Sequence, residues 1–270
     1  MTTLPEPILT RIQAALQAAD AALRPLLTRP VASLQKSSGR GPVTEADRVV
    51  DGVLREELLR DGEGWLSEES ADDLDRLQKS HVWIVDPLDG TLEFIGGIPE
   101  WCVSIGWVEK GRAIAGGVYN PITRELFLGS VSSGVQYNGR PARASKREHL
   151  DGATVLASRS EIKRGEWAGF QNAPFVVRPV GSVAYKLALV AAGLADATWT
   201  LCPKNEWDVA AGVALVNSAG GFAQGLKDRP LTFNRKTPLL SGLIAGGSRL
   251  HAEICELLNG RGTAESPMPE

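Results

Sequence analysis

Apolar side chains recur at Ile8, Ile12, Leu16, Ala19, Leu23 and Leu27, a helical spacing that predicts an amphipathic helix over residues 8–27, closing around Pro25 to Pro30. A polar, glycine-rich loop follows over 34–42. Val50, Val53, Leu54 and Leu58 predict a second helix, with Thr44 as its N-cap and Asp47 in its first turn. Residues 65–67 read as a short strand. The unbroken apolar run 82–85 reads as a buried one that stops at Asp86. Alternating stretches at 102–108, 113–119 and 125–129 predict an antiparallel meander of at least three strands, packed on the first two helices. Glu109-Lys110-Gly111, Asn120-Pro121 and Asn138-Gly139 supply turns.

Beyond residue 150 strands and helices alternate. Strands are expected at 153–157, 175–178, 195–201 and 243–245. Helices are expected at 161–170, 181–192, 207–218 and 249–258, the third ended by Gly220-Gly221. The pattern divides the chain into an N-terminal α+β part (1–145), a C-terminal α/β part (146–258) and a flexible tail (259–270).

Composition narrows the class. The 270 residues suffice for one large domain or two intimately packed ones. With 29 basic against 32 acidic residues and no basic block, nucleic acid polymers and anionic membranes are excluded as expected partners. No segment reads as a signal peptide or membrane span. Three widely spaced cysteines, Cys102, Cys202 and Cys255, suggest a reducing, cytoplasmic setting.

The candidate chemistry centres on Asp86-Pro87-Leu88-Asp89-Gly90-Thr91. Pro87 removes a backbone donor, Asp89-Gly90 permits a tight turn, and Thr91 can open a short helix. Taken alone, the stretch reads as a turn that ends a strand. Five acids change that: Asp47, Glu68, Asp208 and the Asp86–Asp89 pair all fall at predicted element ends or first turns. An all-carboxylate set suits Mg²⁺ better than Zn²⁺. His81, His149 and His251 are not spaced as ligand pairs. No G-x-S-x-G occurs, and residues 106–112 lack the Lys and Ser/Thr of a P-loop.

Asp86 to Thr91, the upstream Ser67-Glu68-Glu69-Ser70 and the downstream Trp207-Asp208-Val209-Ala210-Ala211-Gly212 together resemble the three motifs of the inositol monophosphatase family. Lys36 and Thr44-Glu45-Ala46-Asp47 match its N-terminal motif, and Gly181-Ser182 the start of a family helix. The resemblance covers residues 8–258. It implies an α/β (α+β) fold of the sugar phosphatase type, a five-layered α-β-α-β-α sandwich. It also implies a homodimer that hydrolyses a small phosphorylated substrate with two to three Mg²⁺ ions and is inhibited by Li⁺.

Carried over residue by residue, Glu68, Asp86 and the Leu88 carbonyl would hold one ion. Asp86, Asp89 and Asp208 would hold a second, and Glu68 with Asp47 a third. Glu68 and Thr91 would orient the attacking water, with Asp47 in the catalytic set. Gly90 and Thr91 would hold the phosphate through their amides. Asp89, Asp208, Gly181 and Ser182 would border the substrate, and Glu69 would support the ligands.

Departures from the family pattern bear on substrate. Gly41 stands where an acid is frequent. Glu93 and Leu201 are similar to the 3′(2′),5′-bisphosphate nucleotidase branch rather than the inositol branch, as are residues 231–234 and 243–245. Lys204-Asn205-Glu206 either faces a second phosphate or base, or forms a solvated turn. The expected substrate is therefore 3′-phosphoadenosine 5′-phosphate. Inositol 1-phosphate, another sugar phosphate or histidinol phosphate are the alternatives, beside a binding protein that has lost turnover or a structural calcium module. Residues 36–44 are a candidate lid.

Overall fold

The computed structural model describes residues 7–28, 31–35 and 42–259. Lys36, Gly41, most of the candidate lid and all but the first residue of the expected tail lie outside them. The chain opens with α1 (Pro7–Leu23), the short strands β1 (Ser33–Gln35) and β2 (Pro42–Thr44), and α2 (Glu45–Leu58). Then come β3 (Gly64–Ser67), β4 (His81–Asp89), α3 (Thr91–Ile95), β5 (Cys102–Glu109), β6 (Arg112–Asn120), β7 (Glu125–Ser130), β8 (Gly134–Tyr137) and β9 (Arg140–Ala142). The remainder runs β10 (Thr154–Ser158), α4 (Arg159–Lys163), β11 (Val176–Val180), α5 (Val183–Ala191), β12 (Ala197–Thr200), β13 (Lys204–Asn205) and α6 (Glu206–Ser218). It ends with β14 (Gly221–Gln224), β15 (Leu239–Leu240), β16 (Leu243–Gly247) and α7 (His251–Asn259).

Strands β3 to β9 form one seven-stranded sheet in chain order, with β3 parallel to β4 and the rest an antiparallel meander. A second sheet has the order β11-β10-β12-β16-β14. Its first three strands are parallel, and β16 runs antiparallel to both neighbours. Side-chain alternation stacks these sheets into layers. On β4, Trp83 and Val85 face α1 and α2 in one apolar cluster, while Val82 and Ile84 join the cluster that contains α5 and α6. That second cluster reaches Leu156 and Ala245 of the other sheet. The opposite face of that sheet, Val155, Ala157 and Trp199, packs on Trp167, Phe170 and α7 residues Ile254 and Leu258. The result is the expected five-layered α-β-α-β-α sandwich.

Helix α6 lies between two sheets, and its run from Val209 to Val216 is fully buried, as an all-apolar helix must be. Its close seat on the first sheet depends on Gly106 and Gly116. A Cβ at Gly106 would stand 2.9 Å from the Ala210 Cβ, and one at Gly116 only 2.6 Å from the Ala211 carbonyl oxygen.

Two expectations change, and one strand was not expected. β4 does not stop at Asp86 but continues to Asp89, its ladder to β5 irregular between those residues. A bulge accommodates Pro87, which has no N–H to pair. The helix expected over 161–170 is two short pieces, α4 and a 3-10 turn at Ala168–Phe170, because Gly165 takes φ +84° between them. Strand β14 lacks the β-branched residues that would have marked it.

The Gly116→Ala variant is expected to lose about 1–3 kcal/mol of stability by overpacking α6 against β6, read as a lowered denaturant midpoint with unchanged slope.

Candidate active site

The acids gather where strand ends meet helix starts. β3 and β4 are parallel with Ser67 opposite Val85, so continuing that register by one residue sets Glu68 beside Asp86. Two serines flanking the Glu68–Glu69 pair hold its loop: Ser67 and Ser70 each donate to Asp51 of α2, at 2.5 Å. Within the bulge, the Leu88 N–H donates to Asp86 Oδ1 at 3.0 Å. Gly90 then takes φ +102° and hands the chain to α3. The Thr91 hydroxyl at its start donates to the Leu88 carbonyl at 3.3 Å and to Asp47 Oδ1 at 3.5 Å.

Asp47 comes from a capping box, as Thr44 predicted. The Thr44 N–H donates to Asp47 Oδ2 at 2.7 Å. Asp208 occupies the same third helical position in α6, where Asn205 N–H donates to its Oδ2 at 2.9 Å. Asp89 reaches across the layers. Its Oδ2 accepts from the Ser182 hydroxyl and the Ala184 N–H, both at 2.6 Å, which caps α5 from outside.

One ligand oxygen from each of Glu68, Asp86 and Asp208 lies within 4.8 Å of the others. Asp89 and Asp47 border this trio through their charge and through Thr91 rather than belonging to it. Burial pushes Asp86 well above the usual carboxylate range, and the neighbouring charges of Glu68, Asp89 and Asp208 push it further. Asp208 is raised likewise by burial, then by Asp89 and Glu68. Asp89 is raised by burial against the opposing pull of Ser182, Ala184, Lys186 and Lys204. A set of oxygen donors, Asp86 buried and Glu68 and Asp208 half-buried, with excess negative charge fits a hard divalent cation, so the residues present suit Mg²⁺.

The remaining candidates divide. Ser182 and Gly181 stand at the site, with their polar groups engaged: the Ser182 hydroxyl by Asp89, the Gly181 N–H by Glu100 at 2.8 Å. Glu100 is held in turn by Arg159 through two bonds of 2.7 and 2.8 Å. Lys204-Asn205-Glu206 is not a solvated turn. Glu206 turns inward, fully buried, accepts from the Asn234 and Arg235 N–H groups, and is pushed up to about 7 by burial. Asn205 caps α6. Lys204 alone stays by the acids, paired with Glu161 at 2.9 Å. Glu161 is itself held below the ordinary carboxylate value, burial being outweighed by Lys204, Thr200 and Trp167. Leu201 is 39% exposed.

Two contributors escaped the sequence reading. Asp51 lies one turn after Asp47 on α2, a spacing that marks a shared face. Lys186 is buried in an otherwise apolar helix and donates to the Ser182 carbonyl at 2.9 Å; a lysine in such a run was the available signal.

The inositol monophosphatase family model matches residues 5–262. An inositol-1-monophosphatase of Caulobacter vibrioides is 34% identical over 92% of this chain and 98% of its own length. A Nus factor SuhB of Xylella fastidiosa is 32% identical over 88% and 89%. CysQ from Bacteroides thetaiotaomicron, a bacterial member of the inositol monophosphatase family, superposes with TM-score 0.75 at 26% identity, covering 90% of this chain and 98% of that one.

Crowded acids predict an inverted pH response in the metal-free protein. An acid whose folded pKa exceeds its ordinary value, 3.8 for aspartate, destabilises the fold while ionised and ceases to as pH falls through the folded pKa. In EDTA the thermal midpoint is therefore expected to rise as pH is lowered from about 8 to about 5.5, and added Mg²⁺ to flatten that slope. A midpoint that falls over this range in EDTA contradicts the placement of the acids.

Proposed function

The chain belongs to the inositol monophosphatase family and is a phosphatase, a phosphomonoester hydrolase, and from that premise we propose that it is Mg²⁺-dependent and that Glu68, Asp86, Asp89 and Asp208 hold the ions. The convergence of Glu68, Asp86 and Asp208 oxygens within 4.8 Å supports this reading. In it, Glu68, Asp86 and the Leu88 carbonyl hold one ion, Asp86, Asp89 and Asp208 a second, and Glu68 with Asp47 a third. Bound Mg²⁺ supplies charge neutralisation at the phosphoryl group and activation of water near neutral pH.

The protein's own groups do the rest. Glu68 and Thr91 orient the attacking water in line with phosphorus. Thr91, donating toward Asp47, gives the proton of that water a route to a carboxylate. The Gly90 and Thr91 amides bind the phosphate at the start of α3. Asp89 also fixes α5, and with it Gly181, against the site. The homodimer and the cytoplasmic setting stand as part of this proposal, as does the division at residue 145.

For the substrate, the proposal is a nucleotide of the 3′-phosphoadenosine 5′-phosphate class. Leu201 offers an exposed apolar surface, which suits a base better than a polyol. Lys204 and Lys186 place positive charge beside Asp89, where a second phosphate would need it. Inositol 1-phosphate is the second reading, favoured by the Caulobacter relative's name. A binding role without turnover is suggested by the Nus factor relative; retention of all four ligand acids argues against it.

Asp89→Asn is expected to lower kcat more than the roughly hundredfold that loss of an outer support costs, with circular dichroism unchanged. Near-wild-type kcat in that variant would sink the metal assignment. Phosphate release from 3′-phosphoadenosine 5′-phosphate and inositol 1-phosphate, measured side by side with Mg²⁺, should favour the nucleotide. The reverse preference keeps the metal chemistry and replaces the substrate.

A further inference from the structure

A second cluster of ligand-type side chains sits far along the chain from the carboxylate site, where α7 meets the turn after β14. His251 and Cys255 are one helical turn apart on α7 and project to one side. Asp228 comes from a 3-10 turn at Leu226–Asp228 in which Lys227 and Asp228 both hold positive φ, +57° and +56°. Such backbone is uncommon for residues with a Cβ and here aims the carboxylate at the helix. The Cys255 thiol donates to Asp228 Oδ1 at 3.3 Å, Cys255 Sγ lies 3.6 Å from His251 Nε2, and His251 Nε2 lies 3.5 Å from Asp228 Oδ1.

These three separations are the edges of a coordination polyhedron. A tetrahedral Zn²⁺ with bonds of about 2.3 Å to sulfur and about 2.0 Å to nitrogen and oxygen sets its ligands about 3.3–3.6 Å apart. The fit extends to orientation. The His251 ring is fixed edge-on against Phe222, with centroids 4.7 Å apart and an interplanar angle of 82°. The amide of Gln224 touches all three groups, its Oε1 2.9 Å from His251 Nε2 and its Nε2 donating to Asp228 Oδ1 at 2.6 Å and to Cys255 Sγ at 3.6 Å.

We propose that Asp228, His251 and Cys255 form a binding site for a borderline-soft divalent cation, Zn²⁺ by preference, which staples the 226–228 turn to α7. The Gln224 amide oxygen or a water closes the fourth position. Binding releases the Cys255 proton to solvent and moves the His251 proton from Nε2, which donates it to Gln224 Oε1, to Nδ1, so that sulfur, nitrogen and oxygen each give an electron pair to the ion. A sulfur and an imidazole distinguish this site from the all-oxygen active site, so the two select different metals. Without metal, burial and Asp228 push the Cys255 thiol up to about 11.

The test uses the full chain, stripped with EDTA under reducing conditions and titrated with Co²⁺ as a spectroscopic substitute. A thiolate-to-cobalt charge-transfer band should grow to one equivalent and be bleached by Zn²⁺. Co²⁺ at the carboxylate site gives no such band. Cys255→Ser should abolish it, and Asp228→Asn and His251→Ala should each weaken Zn²⁺ binding by about tenfold or more. Mg²⁺-dependent phosphatase turnover in Cys255→Ser should match wild type, showing that the variant folds. Absence of the band in wild type overturns the proposal. So does a band that survives Cys255→Ser and disappears in Cys202→Ser, which would place sulfur ligation at Glu161, Glu166 and Cys202, the other cysteine-bearing group among the described residues.

Discussion

The structure depends on one buried carboxylate, that of Asp89. It ends β4, the second strand of the first sheet, yet it accepts hydrogen bonds from Ser182 and Ala184 at the start of α5, in the layer between the two sheets. A buried carboxylate is costly unless donors surround it, and here they come from a segment more than ninety residues away. The bond that makes Asp89 tolerable is therefore also the bond that registers the second half of the chain on the first. Ser182 takes φ +55° to present both its hydroxyl and the following N–H groups, a local strain held by the surrounding contacts.

The same device recurs around the site. Asp86 is tied by the Leu88 N–H, Asp47 by the Thr44 N–H and Asp208 by the Asn205 N–H, each through one oxygen. Backbone amides thus fix the angle of every aspartate. This rigid presentation keeps like charges close at a raised pKa instead of letting them rotate apart. The helix N-termini that present Asp47, Thr91 and Asp208 add their positive dipole ends to the same volume.

What could be read from the chain was what is local. Thr44 to Asp47, and the helix that begins before Asp208, are signals contained within four residues, and the structure places them as read. The meander from β5 to β7 is likewise written in neighbouring turns. Pro87 misled, because a proline ordinarily ends a strand and here sits in a bulge. Glu206 misled more deeply. Beside two polar residues it looks like surface, but the amides it caps, those of Asn234 and Arg235, lie nearly thirty residues on and have no local mark. His251 and Cys255 carry no local mark of a shared site, because the third member, Asp228, arrives through a turn whose left-handed backbone the sequence does not announce.

The parallel pairing of β3 with β4 sets Ser67 opposite Val85, so Glu68 leaves the sheet one residue beyond an interstrand spacing fixed by the hydrogen-bonded repeat of the peptide chain. The two halves of the site are therefore separable in evolution. The loop that carries Leu201 is free to drift, while the register that brings β3 and β4 together is inherited with the sheet. New substrate preferences within this architecture are reachable without crossing a metal-deficient intermediate.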